Sequence, residues 1–489
     1  MKDVKNKDIR TKNDPKNGQQ EIPKFVEILS NKYFKFGFVC FLYLLWAYWV
    51  GNWWLLLGVP ILYDIYVSKK VNWTFWKKRK GPNSKIVEWI DALIFAVVAV
   101  TLINIFIFQN YKIPTGSMEK TLQIGDHLFV SKLKYGPKIP NTPLSFPFAQ
   151  HTMPLTVNTK SYLNWIQWPY KRLKGFTHVK NDDIVVFNFP EGDTVLVQYQ
   201  ADSYYLQLRR VAKNDFEAGN GRFGRPLQSF DYYMGMARKN VLAQNEITVR
   251  PVDKRDNYIK RCIAIPGDTL RIINTQVHIN GKPQKQYPGI QYRYLVQTDG
   301  SRINTRTLEK LKIYKEDLHD WGNGLYEIPL IAANAEEFQK LGNVRSVQKK
   351  IRPQGVYDDE IFPHDERYPW NVDNFGPLWI PKKGVTINID TANICFYYRI
   401  ITAYEGNDLK IQNGDIYING VKTGSYTFKM DYYWMMGDNR HDSLDSRFWG
   451  FVPEDHIVGA PRSVWLSLNK EKSFPFNIRF GRMFRPAGR

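Results

Sequence analysis

Three apolar runs dominate the pattern of the N-terminal part of the chain. Phe34–Val50 is the first, Gly51-Asn52 interrupts it, and Trp53–Val67 resumes it. Ile86–Phe108 follows as the longest run, with Glu88 and Asp91 near its start. A helix needs about 20 apolar residues to cross a hydrocarbon core of ~30 Å. The third run therefore predicts a transmembrane helix over 86–108. The first two are near the lower limit and predict a helical hairpin over 31–68, either spanning or re-entrant. Residues 1–30 are polar and predict a cytoplasmic tail without fixed structure. Seven Lys/Arg fall in Lys69–Lys85. That places this loop on the cytoplasmic side by the positive-inside rule. With tail and loop both inside, parity puts 109–489 outside. The first run begins too far from Met1 to read as a cleavable leader.

Beyond residue 109 the pattern changes to short alternating segments, and the fold class predicted is mainly β. Asp183–Phe189 reads as a strand bounded by turn residues. Leu270–Gly281 and Leu409–Gly420 are identical at six of twelve positions, and both end in Asn-Gly. Asn-Gly is a strong hairpin signal. Each segment predicts a strand pair of similar build. Residues 302–345, with Leu308, Leu311 and Ile313 among charges, read as a more helical insertion on the β-core.

The formal charge is +21, but its distribution does not favour nucleic acid. Sixteen Lys/Arg against eight Asp/Glu lie in 1–109, around the apolar runs; the remaining surplus of +13 is spread over the rest of the chain. There is no basic helix or aromatic-basic RNA signature, and anionic headgroups are the better match. Aromatics make up 15% of the chain, and several lie beside the apolar runs. That is the distribution found at a membrane interface. The three cysteines, Cys40, Cys262 and Cys395, are too few for a disulfide framework and fit no zinc spacing. Whether Cys262 and Cys395 pair is left open.

Candidate chemistry centres on Ser117, in Tyr111-Lys-Ile-Pro-Thr-Gly-Ser-Met-Glu-Lys-Thr-Leu122, nine residues past Phe108. Even a fully extended tether keeps it within about 30 Å of that helix end. The eight histidines have no metal spacing, and no Gly-x-Ser-x-Gly elbow surrounds Ser117. A Ser-His-Asp triad assembles in space and stays open on residue counts; the other route to an activated serine is a lysine base. Its amine must lose its proton near neutral pH, which burial achieves. Lys260 lies in the apolar segment Tyr258-Ile-Lys-Arg-Cys-Ile-Ala-Ile-Pro-Gly-Asp268. Alternation puts Tyr258, Lys260 and Cys262 on one face and Arg261 on the other.

Several segments together resemble the bacterial type I signal peptidases, membrane-bound endopeptidases with a Ser-Lys dyad. They are Ile113–Leu122 with Gly125–Gly136, Asp182–Phe187, Tyr258–Asp268 and Met435–Pro453, in the family's order. The resemblance implies a β-rich, extracytoplasmic catalytic domain over 109–489, anchored in the cytoplasmic membrane by several passes. It implies Ser117 as nucleophile and Lys260 as general base, with no metal or organic cofactor. The Ser117 amide and the Thr115 hydroxyl would form the oxyanion hole, and Ser443 would orient the Lys260 amine. Asp445 and Arg447 would form a supporting ion pair. By residue type, Asp438 and Asn439 suit side-chain hydrogen bonds to the loop's backbone, with a direct catalytic part as the alternative. Ile113, Pro114, Met118, Leu122, Tyr258 and Ile259 would line a shallow pocket for small side chains. The implied partners are exported preproteins, the lipid bilayer and the secretion machinery. A peptidase dedicated to one substrate, or a non-catalytic signal-peptide-binding module, are the alternatives.

The sequence also departs from the family pattern. Lys120 stands where proline is usual, His441-Asp442 replaces a common Asp-Asn pair, and Gly459-Ala-Pro-Arg-Ser463 replaces a Gly-Lys-Ala run. Wide spacing between the boxes implies α/β insertions within 137–250 and 290–430.

Overall fold

A computed structural model describes residues 31–77, 82–156, 158–200, 202–223, 229–470 and 472–487. The expected polar tail over 1–30 and part of the basic loop lie outside these residues. The chain forms two compact units, Met1–Leu93 and Ile94–Arg489.

In the first unit, helix α1 spans Lys32–Val50, and Gly51 ends it in the left-handed region at φ 63°. That conformation carries no Cβ penalty in glycine and makes it a common helix stop. The second apolar run is helical over Trp53–Ser68, in 3₁₀, α and π turns. It packs back on α1, with the Phe36 and Tyr63 rings edge to face at 5.4 Å. Tyr43 donates to the Leu55 carbonyl at 2.5 Å. The hairpin therefore exists, but its second arm, Trp53–Ser68, is short for a crossing. Asp64 in that arm receives the amides of Lys70 and Val71 and the Trp73 indole, and so ends the helix. Helix α2 spans Lys85–Phe106. Among the described residues, α1 and α2 are long and apolar enough to cross a membrane. The third run was expected to continue to Phe108, but Phe108 already begins a strand.

The second unit is built on a seven-stranded antiparallel sheet. In chain order its strands are β1 (Phe108–Lys112), β2 (Asp126–Ser131), β3 (Ile184–Asn188), β4 (Asn257–Ala264), β5 (Tyr432–Met436), β6 (Val452–Pro453) and β7 (Ile457–Ser467). Their spatial order is β1-β2-β7-β3-β4-β5-β6. β3 is buried at every position and β4 from Lys260 onward, because apolar clusters pack on both faces. One contains Phe187, Cys262, Met435 and Trp449; another contains Met118, Leu128 and Val186. Cys40, Cys262 and Cys395 are all free thiols.

The two similar segments form hairpins, and each extends into a three-stranded meander: Thr269–Ile273, Gln276–Ile279 and Lys282–Pro283, then Leu409–Gln412, Asp415–Ile418 and Val421–Lys422. Asn280-Gly281 and Asn419-Gly420 turn with both residues at positive φ, as do Asn274-Thr275 and Asn413-Gly414. This is the turn class whose twist suits tight hairpins.

The insertions are mixed, as expected, but 302–345 is not mainly helical. Its helices, Thr305–Lys310 and Ala332–Gln339, are short. Leu325–Ile331 and Val344–Lys349 flank Gln291–Thr298 in a four-stranded sheet. Gln291–Thr298 supplies an alternating buried face, and Tyr326, Ile328 and Leu330 pair with it. This long-range partner outweighs local helix propensity. Residues 190–250 hold a helical hairpin, α3 (Tyr204–Phe223) and α4 (Phe230–Gln244), with its own small core.

Candidate active site

Ser117 lies on a 3₁₀ turn, Gly116–Met118, between β1 and β2. The ends of this loop are fixed: the Ile113 amide bonds the Asp126 carbonyl, and the Gly125 amide bonds the Ile113 carbonyl, both at 2.9 Å. Buried Asp126 then receives the Gln123 amide, the Ser467 hydroxyl and Arg482. Met118 and Leu122 anchor the turn below. Both were expected to line the substrate pocket, but both are fully buried in the core with Leu128 and Val186. A 3₁₀ turn that raises Ser117 toward the cleft directs its apolar neighbours inward.

β4 brings Lys260 to the serine. The Lys260 ammonium donates to the Ser117 hydroxyl at 2.6 Å, across 143 residues of sequence. The lysine is 4% exposed and the serine 9%. Burial brings the Lys260 amine down to about 8; Asp445 and Asp438 oppose the shift and Arg447 adds to it. Tyr258 flanks the amine, which lies 5.4 Å from the ring centroid, and Phe189 stacks on Tyr258 at 4.5 Å.

Met435–Pro453 closes the site from the far side. Asp445 accepts Arg447 Nε at 2.9 Å and Nη2 at 2.7 Å, and the Gly437 amide at 3.0 Å. Burial opposes the charge of Asp445, but Arg447 and these amides hold its carboxyl below the usual range. The pair is fully buried and bidentate. Losing either partner would strand a charge. Asp438 does not cap its own loop. It binds Arg261 through both oxygens and accepts from Thr121 at 2.6 Å. Arg261 thus occupies the face of β4 expected for it, and it stacks on Tyr287 at 4.1 Å. The Asn439 amide donates to the Ser117 carbonyl at 3.0 Å, and its side chain reaches the Gly116 carbonyl at 3.3 Å.

The expected hydrogen bond from Ser443 to Lys260 is not formed. Ser443 Oγ is buried, has no hydrogen-bond partner among the described residues, and sits against Gly437.

These parts border a cleft of about 690 Å³. Ile113, Pro114, Thr115, Tyr258 and Ile259 line it. Thr115 is exposed and makes no capping hydrogen bond, so its hydroxyl is available. His151, Glu191, Asp202 and Leu444 also line the cleft. Leu444 follows Ser443 and was within reach of the motif; the other three come from segments with no sequence signal. No group of three or more His, Cys, Asp or Glu suited to a metal occurs among the described residues.

Two of the three departures have local explanations. Lys120 has φ 69°. A proline ring cannot adopt that angle. The Lys120 ammonium reaches the Lys312 carbonyl in the insertion. His441 binds Asp373 at 2.7 Å and Asp442 binds Arg293 at 2.6 Å, both also in the insertion.

Two substitutions test this packing. A Cβ at Gly437 would lie 2.2 Å from Ser443 Oγ and 2.6 Å from the Ser117 carbonyl. Gly437→Ala is expected to cost about 1–3 kcal/mol of stability and to lower kcat at least tenfold (roughly 1.4 kcal/mol), read by unfolding and turnover. Lys260→Met should be inactive yet more stable at pH 7, by about 1–3 kcal/mol. Below pH 8 the wild-type fold must hold a buried ammonium. Between about 8 and 10.5 only the unfolded chain keeps that proton, so wild-type stability rises there and the gap to Lys260→Met closes. Parallel unfolding titrations of the two proteins measure it.

Comparison with known proteins gives the family. The family model described as "Signal peptidase, peptidase S26" matches residues 86–362 and 422–466. A signal peptidase I of Buchnera aphidicola subsp. Acyrthosiphon pisum is 54% identical over 447 residues, covering 88% of this chain and 94% of the relative. One from Haemophilus influenzae is 47% identical over 411 residues, covering 83% and 78%. A match of this extent, over residues that carry both Ser117 and Lys260, shows that the chain belongs to the signal peptidase family, peptidase S26.

Proposed function

We propose that this chain, an endopeptidase that removes N-terminal signal peptides from exported preproteins, cuts with Ser117 as nucleophile and Lys260 as general base. The contact between the Lys260 amine and the Ser117 hydroxyl, in a buried setting that depresses the amine's pKa, carries the reading. Neutral Lys260 takes the hydroxyl proton as Ser117 Oγ attacks the scissile carbonyl. The Ser117 amide and Thr115 hydroxyl receive the negative charge that develops on the carbonyl oxygen, a stabilisation of about 3 kcal/mol per donor. An amide in the first turn of a helix has no partner within that helix, which suits the Ser117 N–H to this role. Protonated Lys260 then gives its proton to the leaving amine, and an acyl-enzyme remains on Ser117. Lys260 next activates the water that releases the signal peptide. Small side chains before the cut fit against Ile113, Pro114, Tyr258 and Ile259. Asp445 and Arg447 fix the Gly437 loop behind the lysine.

In this reading α1 and α2 anchor the chain in the cytoplasmic membrane, with the basic loop over 69–85 inside and 109–489 outside. The substrate's apolar segment shares that bilayer, and the secretion machinery delivers its cleavage site to the same surface. Shared anchoring raises the effective concentration of site and substrate.

Cleavage of a preprotein in detergent, with the product N-terminus sequenced, tests the assignment. Ser117→Ala and Lys260→Arg are both expected to lose about 10⁴-fold or more in kcat. A guanidinium does not deprotonate at usable pH, so full activity in Lys260→Arg would remove Lys260 as the base. The pH profile is an independent measure. Because the protonated amine is inactive, kcat/KM should rise tenfold per pH unit below about 8 and level off above it. A flat profile from pH 6 to 9 would contradict a lysine base.

A further inference from the structure

A second cavity, of about 430 Å³, lies where the end of α2 meets the β-sheet, and the cleavage chemistry does not use it. Thr101, Asn104 and Ile105 of α2 line one wall. Lys132, Lys138 and Lys254 face it from three other segments. Its single carboxylate, Asp253, has one oxygen taken by the amide and hydroxyl of Thr142, at 2.9 and 2.8 Å; the other is buried without a hydrogen-bond partner among the described residues and offsets part of the charge of Lys138 and Lys254. Lys138 donates to Asn188 at 3.0 Å and to the Asp455 carbonyl at 2.9 Å, so one of its N–H groups is left over. The Lys132 and Lys254 ammoniums make no hydrogen bond or salt bridge among the described residues, and Lys254 is buried over the Tyr162 ring. Burial, reinforced by Lys138 and Arg172, draws Lys132 down to about 7, and burial draws Lys138 down to about 8. Three lysines against one carboxylate leave the cavity with a surplus of positive charge, which an anion would offset.

Location identifies the anion. The Lys132 amide bonds the Ile107 carbonyl, one residue past the end of α2. The cavity is therefore level with the end of a membrane helix, where headgroup phosphates lie. Phe146 and Phe148 line it too and are 48% and 66% exposed, as suits side chains meeting acyl chains. The volume falls in the ~300–1,000 Å³ range of small-molecule sites, which suits a headgroup better than a bare ion. We propose that this cavity binds the phosphate of a phospholipid headgroup, with Lys132 and Lys254 as its principal ligands. The proposal rests on the reading that α2 crosses the membrane.

The test uses the full chain in neutral detergent, with native mass spectrometry during titration by phosphatidylglycerol and, separately, by inorganic phosphate. Wild type and Lys239→Gln, an exposed control on α4, should each retain one lipid. Lys132→Gln and Lys254→Gln should each weaken retention about fivefold or more, and Lys132→Arg should retain it. Circular dichroism confirms that each variant is folded, and either single variant suffices if the other fails to fold. Equal retention by all variants overturns the site. Occupancy by inorganic phosphate in preference to lipid overturns the lipid assignment. Release of the wild type from vesicles by an alkaline wash would instead remove the membrane premise, and a folded, membrane-retained set with unchanged lipid binding would condemn the cavity alone.

Discussion

A buried lysine amine with no carboxylate bonded to it is the constraint on which the rest of the site depends. Lys260 is enclosed by β-sheet on one side and by the Gly437 loop on the other, and its hydrogen bond is to a neutral hydroxyl. A carboxylate in direct contact would restore the charge and, on the proposed mechanism, remove the base. The nearby acids are instead engaged elsewhere: Asp445 by Arg447, Asp438 by Arg261. Two buried ion pairs thus fix the loop while leaving the amine without a counter-ion. Such pairs add little net stability over apolar packing, so their value here lies in geometry and in keeping negative charge committed.

The insertion between 290 and 430 belongs to the same assembly. Gln291 exchanges backbone hydrogen bonds with Asp438 and Arg440, both at 2.9 Å, and Asn439 passes the connection to the Ser117 carbonyl. On the other side Lys120, three residues after Ser117, reaches Lys312. The insertion thus braces both loops that meet at the dyad. The family departures at Lys120, His441 and Asp442 each contact this insertion, at Lys312, Asp373 and Arg293, so they act as fittings for an added part.

Much of this was legible in the sequence. Ser117 and Lys260, which the fold brings into contact, stand out because each sits in an unusual setting, a bent loop beyond an apolar helix and an inward-facing strand position, that residue types reveal. Asn-Gly pairs marked the meanders because their turn geometry is local. What failed to show was decided by distant partners. The strand at 325–331 follows from pairing with Gln291–Thr298. Met118 and Leu122 face the core because of how the 3₁₀ turn is docked. His151, Glu191 and Asp202 reach the cleft from insertions whose placement no local pattern encodes. The Ser443 hydroxyl lies against Gly437 instead of the amine, a side-chain orientation that the motif alone does not specify.

The separation of Ser117 and Lys260 by 143 residues has a consequence for how the cell makes this protein. In a nascent or partly folded chain the lysine is solvated and carries its proton, and the serine is an ordinary alcohol. On the proposed mechanism, reactivity arises only when β4 has joined the sheet and the Gly437 loop has closed behind it. A hydrolase produced among unfolded, exportable chains is thereby latent through its own synthesis, and its fold serves as its activation step.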